Sequence, residues 1–166
     1  MDIQEGKDKF IEAWGRLAGS WSIPPAMAQV HALLLIAPEP LTAEQVKEQL
    51  DISTGNVSMN LRALIEWGLV YKESQEGERK DFYVAEKDMW TVVRQIIINR
   101  KKRELEPLLQ LLDELACVKE SCPNSKHFCT VVRDIQKISH KANQTLETLV
   151  KTEPGWITSL FLNMAR

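Results

Sequence analysis

The stretch from Asp51 to Leu69 (Asp-Ile-Ser-Thr-Gly-Asn-Val-Ser-Met-Asn-Leu-Arg-Ala-Leu-Ile-Glu-Trp-Gly-Leu) constrains the fold more than any other part of the chain. Ser53 is placed to cap a helix, because its hydroxyl accepts from an orphan amide of the first turn. Val57, Leu61, Leu64 and Ile65 then fall at i, i+4, i+7 and i+8, which makes one apolar stripe. Gly55, Asn56, Met59, Arg62 and Ala63 lie away from that stripe. This outward face is small and hydrogen-bonding, with a single arginine, where an ordinary solvated face carries several Glu and Lys. Gly68 supplies a C-terminal stop.

The flanks give that helix its setting. Thr42 and Gln45 have capping-box spacing and open a short helix containing Val46 and Leu50. Only Asp51 and Ile52 separate it from Ser53, so the two helices read as a helix-turn-helix. After Gly68 come two strand-like runs, Leu69 to Glu73 and Asp81 to Ala85, joined by a polar loop with Gly77 at its tip. Helix, turn, helix and hairpin in this order predict a winged helix, mainly α with a small β-hairpin wing. The presented helix covers residues 53–67 and the wing residues 74–81.

The run Ser53-Thr54-Gly55-Asn56-Val57-Ser58-Met59-Asn60-Leu61-Arg62, then Trp67-Gly68-Leu69-Val70, then Gly77-Glu78-Arg79-Lys80-Asp81-Phe82-Tyr83, resembles the GbsR/MarR family of winged-helix transcriptional regulators, over residues 10–115. The resemblance implies a homodimer whose recognition helices enter adjacent major grooves of double-stranded DNA while the wings touch the flanking backbone. On this reading Asn56, Ser58 and Arg62 contact bases or backbone, and Ser53 and Thr54 donate to phosphate near the helix N-terminus. Gly55, Met59 and Asn60 complete the helix surface, and Arg79 and Lys80 reach the flanks. The family also implies a small-molecule effector between the winged domain and the dimer helices. Trp14, Trp21, Trp67 and Trp90 are candidates to line such a pocket, as a cage for a quaternary ammonium, against the plainer reading of core and interface tryptophans.

Composition sets the bounds. A chain of 166 residues, 44% of them apolar, is one domain or one domain with a helical extension. No segment approaches the ~20 uninterrupted apolar residues that span a bilayer. Met-Asp-Ile-Gln-Glu is not a secretory leader, and three cysteines cannot all pair within one chain. A cytoplasmic protein without membrane contact is expected. The net charge of −2 argues against a domain that lives on phosphate contacts, and Thr42 to Lys87 is worse, with six Lys/Arg against nine Asp/Glu. What matters to phosphate is which face carries the cations. The expectation is that Glu44, Glu48 and Glu66 lie on the far side and Arg62, Arg79 and Lys80 on the near one, giving modest affinity with strong salt sensitivity.

The rest of the chain reads as helices. Residues 3–21 carry an aromatic stripe, Phe10, Ile11, Trp14, Leu17, Ala18 and Trp21, that packs either on its own domain or on a second subunit. Ile23-Pro24-Pro25 starts a nearly all-apolar helix, Ala26 to Ala37, in which His31 reads as a hydrogen-bonded core residue. Leu41 is placed for a one- or two-residue strand against the wing. Glu86 to Glu120 reads as one long helix kinked or divided at Pro107, with the basic run Arg100-Lys101-Lys102-Arg103 just before the kink. Pro123-Asn124 turns the chain and Ser125 caps a helix whose seam is Phe128, Val132, Ile135, Ser139, Ala142, Leu146 and Leu149. Glu153-Pro154-Gly155 ends it, and an amphipathic helix from Trp156 to Met164 closes the chain. The domains so drawn are 1–22, an N-terminal dimerisation helix; 23–87, the winged helix-turn-helix; and 88–166, a helical dimerisation and effector region.

Little else in the chain suggests chemistry. Cys117, Cys122 and Cys129, with His127 among them, are candidate soft ligands for a metal, but the spacing C-x4-C-x6-C matches no compact zinc pattern. Cys117 and Cys122 are also a candidate redox pair, and small apolar packing is the competing reading. No nucleophile–base set, phosphate loop or paired-carboxylate signature is visible, so no enzyme activity and no cofactor are expected. The alternative function is a winged helix used for protein–protein interaction, which the acidic balance favours.

Overall fold

The computed structural model describes residues 1–20, 22–74, 77–116, 118–119 and 122–152. The chain divides into two compact units, Met1–Val92 and Val93–Arg166.

The first unit runs α1 (Ile3–Ser20), α2 (Pro25–Ile36), β1 (Leu41–Thr42), α3 (Ala43–Leu50), α4 (Thr54–Glu66), β2 (Val70–Ser74) and β3 (Asp81–Ala85). β3 lies between β1 and β2, antiparallel to both, with Leu41 opposite Tyr83 and Val70 opposite Ala85. α2 is its centre. It is apolar all round and buries Met27, Ala28, Val30, Ala32, Leu33 and Leu34. Its last carbonyls are satisfied from far along the chain: Lys87 Nζ donates to the oxygens of Leu34 (2.8 Å), Leu35 (2.8 Å) and Ala37 (3.0 Å). The α1 stripe packs on its own unit, because Phe10 stacks on Trp14 at 5.5 Å and Trp14 reaches the His31 ring at 6.3 Å. His31 is a core residue as expected, but its Nε2 has no hydrogen-bond partner.

α5 (Met89–Arg100) crosses the division and continues into a π-helical turn, Lys101–Leu105, then α6 (Glu106–Leu115) and, after a turn, α7 (Pro123–Lys151). The break expected at Pro107 falls just before it. Pro107 has no amide, and its ring crowds the carbonyl four residues back, so the chain widens there and restarts with Pro107 in the first turn of α6.

α7 departs from the sequence reading in two ways. Its cap is Cys122, not Ser125. Cys122 Sγ accepts from the Ser125 amide at 3.4 Å, and Ser125 Oγ accepts from the Cys122 amide at 2.9 Å. The expected seam also holds only in part: Val132 and Ser139 are buried with Leu109 and Leu112 of α6, but Phe128 and Ile135 are exposed and Cys129, outside that seam, is buried. Each buried position is preceded by an exposed apolar one, namely Leu108 and Leu111 on α6 and Phe128, Val131 and Ile138 on α7. In an antiparallel pair the same rotation on both helices leads to the same side. One side of the α6–α7 hairpin is therefore apolar and open. The other is polar, with Gln136 Nε2 donating to Asp113 Oδ1 at 2.6 Å and His140 Nε2 3.3 Å from the same oxygen. Trp21, Cys117, Glu153-Pro154-Gly155 and the expected last helix lie outside the described residues.

Candidate nucleic-acid interface

The helix-turn-helix is built by local hydrogen bonds that the residue types dictate. Thr42 Oγ1 accepts from the Gln45 amide while Gln45 Oε1 accepts from the Thr42 amide, so the capping box of α3 is complete. Asp51 takes the left-handed conformation (φ 50°) that closes α3, and Ser53 Oγ accepts from the Asn56 amide at 3.2 Å to start α4. At the far end Gly68 (φ 69°) donates to the Ile65 carbonyl and Leu69 to that of Leu64, both at 2.9 Å. This double bond satisfies the last carbonyls and turns the chain into the wing.

α4 buries Val57, Leu61 and Leu64. Ile65, assigned to the same stripe, is exposed. Ser53, Thr54, Gly55, Ser58, Met59 and Arg62 are exposed and Asn56 is half-buried. Met59 is 65% exposed, a large apolar side chain left in water beside Gly55, Ser58 and Arg62. Asn60 does not share that surface. It is 4% exposed, and its side-chain amide bonds to Asn56. Glu66, expected on the far side, lines the same shallow hollow as Arg62 one turn on, so the outward face carries both signs of charge.

The wing stem is clamped by an ion pair, Lys72 Nζ to Asp81 Oδ2 at 2.8 Å, and this hydrogen bond raises the lysine pKa above its ordinary value. Beyond Gly77 (φ 85°), Arg79 and Lys80 are exposed on the wing loop. Of the basic run after α5, Arg100 pairs with Glu104 (2.9 Å) and Lys101 with Glu106 (3.2 Å) and Glu147 (3.0 Å). Of the two, Lys101 ties the turn after α5 to α7.

Of the tryptophans, Trp14 takes part in the packing of the first unit, stacked on Phe10 and close to the His31 ring. A groove of about 400 Å³ opens between α1, the end of α2 and α3, lined by Gln4, Lys7, Asp8, Ile11, Leu33 and Gln49. Cys122 is exposed and Cys129 buried, both as free thiols. Among the described residues no group of three or more His, Cys, Asp or Glu is suited to a metal ion, and no helix is long and apolar enough to cross a membrane.

The short second helix, its exposed outer face and the hairpin behind it define a winged helix-turn-helix protein. Residues 21–81 match the profile of the MarR family. Two Bacillus subtilis (strain 168) proteins are similar. YvaV, provisionally named an HTH-type transcriptional regulator, is 24% identical over 88 residues, 53% of this chain and 50% of its own length. The HTH-type transcriptional repressor OpcR is 24% identical over 122 residues, 65% of this chain and 66% of its own. The chain thus spans between half and two-thirds of the length of these relatives. The crystal structure of a transcriptional regulator, 21% identical, superimposes with a TM-score of 0.65 over 87% of this chain and 95% of that one, which shows the shared fold.

Proposed function

We propose that this chain is a sequence-specific DNA-binding transcriptional regulator of the GbsR type within the MarR family, acting in the cytoplasm as a homodimer. The observation that carries the reading is the outward face of α4. Ser53, Thr54, Gly55, Ser58, Met59 and Arg62 are exposed together on a helix held at both ends by caps. Small hydrogen-bonding residues let a helix approach base edges closely, and an arginine offers the bidentate donor pair that fits guanine. The role is regulatory, without catalysis.

The homodimer is supported by the open apolar side of the α6–α7 hairpin, where Leu108, Leu111, Phe128, Val131, Ile135 and Ile138 face solvent in the single chain. A two-fold pairing of such a face is self-complementary. An effector finds its best support in the groove beside Gln4, Lys7 and Asp8, whose lining mixes charges with Ile11 and Leu33.

Arg62→Ala tests the reading. It should weaken binding to the selected operator by about 1–3 kcal/mol and leave binding to random duplex nearly unchanged, if the side chain reads a guanine. Competition binding against both duplexes measures the two losses, and equal losses make Arg62 a phosphate contact. On the wing, Arg79→Ala with Lys80→Ala should weaken both duplexes alike and flatten the slope of log K against log salt by about two, one per lost phosphate contact. An unchanged slope removes the wing from the interface. Glu66 beside Arg62 and the bare Met59 favour a second reading, a docking face for another protein. Absence of any duplex binding at low salt would decide for it.

A further inference from the structure

Asn60 is the unexpected residue of α4. Asparagine is a poor helix-interior residue, and a buried amide costs free energy unless its hydrogen bonds are made. Yet Asn60 is buried, and its Nδ2 donates both to the Asn56 carbonyl oxygen at 2.9 Å and to Asn56 Oδ1. Both donations go to one residue, one turn earlier. They hold Asn56 Oδ1 toward Asn60, one turn further along the helix. Oxygen and nitrogen are the two arms of a planar, trigonal amide carbon, so Nδ2 is the arm turned from Asn60. Asn56 stands in the first turn of α4 beside Gly55, where an added Cβ would meet nothing within 4 Å. Asn56 itself is half-buried, between the exposed Gly55 and the buried Val57.

A free asparagine grips adenine with both ends, accepting from N6 and donating to N7. With its oxygen held toward Asn60, Asn56 cannot turn that oxygen to a base while the tether lasts, and the arm it presents is the Nδ2 donor. Guanine presents two acceptors at the same edge, O6 and N7, whereas adenine presents a donor beside its acceptor. We propose that Asn60 is a positioning residue that fixes Asn56 as a hydrogen-bond donor to the O6/N7 edge of a guanine, so that the pair specifies one base pair of the operator. The proposal rests on the DNA-binding reading above and adds the identity of one base and the device that selects it.

The test is selection of bound sequences from a random duplex pool with the full chain at fixed salt. The wild type should show a guanine preference at one position that Asn56→Ala abolishes. Asn60→Leu keeps the buried volume and removes the tether. It should lower guanine over adenine discrimination at that same position by about tenfold, because the freed amide can rotate to meet adenine. Preferences at other positions and the thermal unfolding midpoint should be kept. An Asn60→Leu variant that retains the guanine preference, or that loses preference at every position equally, overturns the proposal. Should that variant fail to fold, the wild type decides the matter by NMR. Slow-exchanging Asn60 side-chain protons and a single Asn56 rotamer are expected, and an averaged Asn56 rotamer overturns it. A wild type that selects no sequence at all sinks the DNA-binding reading itself, and this inference with it.

Discussion

Ile138→Glu should leave the chain monomeric. Ile138 is 71% exposed at the middle of the open side of the α6–α7 hairpin, between Ile135 and the polar end of α7. In a two-fold interface one substitution is made twice, so two carboxylates would enter an apolar contact without partners. Desolvating an unpaired charge costs several kcal/mol per ion, so the dimer dissociation constant should rise by at least about a hundredfold, or roughly 3 kcal/mol. Sedimentation equilibrium reads the change directly. Because Ile138 belongs to the second unit and is exposed, thermal unfolding of the winged helix should be little altered, while operator affinity falls through loss of the second half-site. Equal masses for variant and wild type at micromolar concentration would remove this face from the interface.

A second large effect is expected on acidification. His31 lies in α2 at 2% exposure, and burial, reinforced by the positive charge of Lys87, lowers its pKa from 6.5 to about 4. The native state therefore holds it neutral while the unfolded chain binds a proton below 6.5. Stability conferred by the neutral ring is complete above pH 6.5 and is lost as the pH falls toward about 4. Below that both states are protonated and the slope ends. Integrated over the window, the loss is about 3 kcal/mol. Urea unfolding at pH 7 and pH 4.5 should show it, and His31→Leu should remove that part of the slope while the carboxylate contributions remain. Since Nε2 has no partner to lose, the leucine variant should be at least as stable at pH 7. Matching pH profiles for the two proteins would show that His31 titrates normally.

The difference between these two positions also separates what periodicity can and cannot convey. His31 sits in a helix that is apolar on every side, so its burial was legible whichever way the helix turned. Ile138 sits in a helix whose expected seam held at Val132 and Ser139 and failed at Phe128 and Ile135, which are exposed. A heptad count passes over Cys129, the small residue that the structure buries beside Phe128. On α4 the stripe was correct at Val57, Leu61 and Leu64 and failed at Ile65, which lies at its edge.

Local signals were read directly from the chain because they act over a few residues. The capping box at Thr42, the cap at Ser53 and the glycine exit at Gly68 each depend on groups no more than five positions apart, and the hairpin around Gly77 starts from Ser74 opposite Asp81. Together they determined the winged helix and the exposed face of its second helix. The tertiary structure decided what depends on distant partners. It brought Lys87 to the carbonyls at the end of α2, some fifty residues away, where the orphan acceptors of a buried helix end must find a donor. It also withdrew Asn60 from the surface where the sequence placed it, since whether a side chain at the edge of the apolar stripe is buried depends on what packs beside the helix.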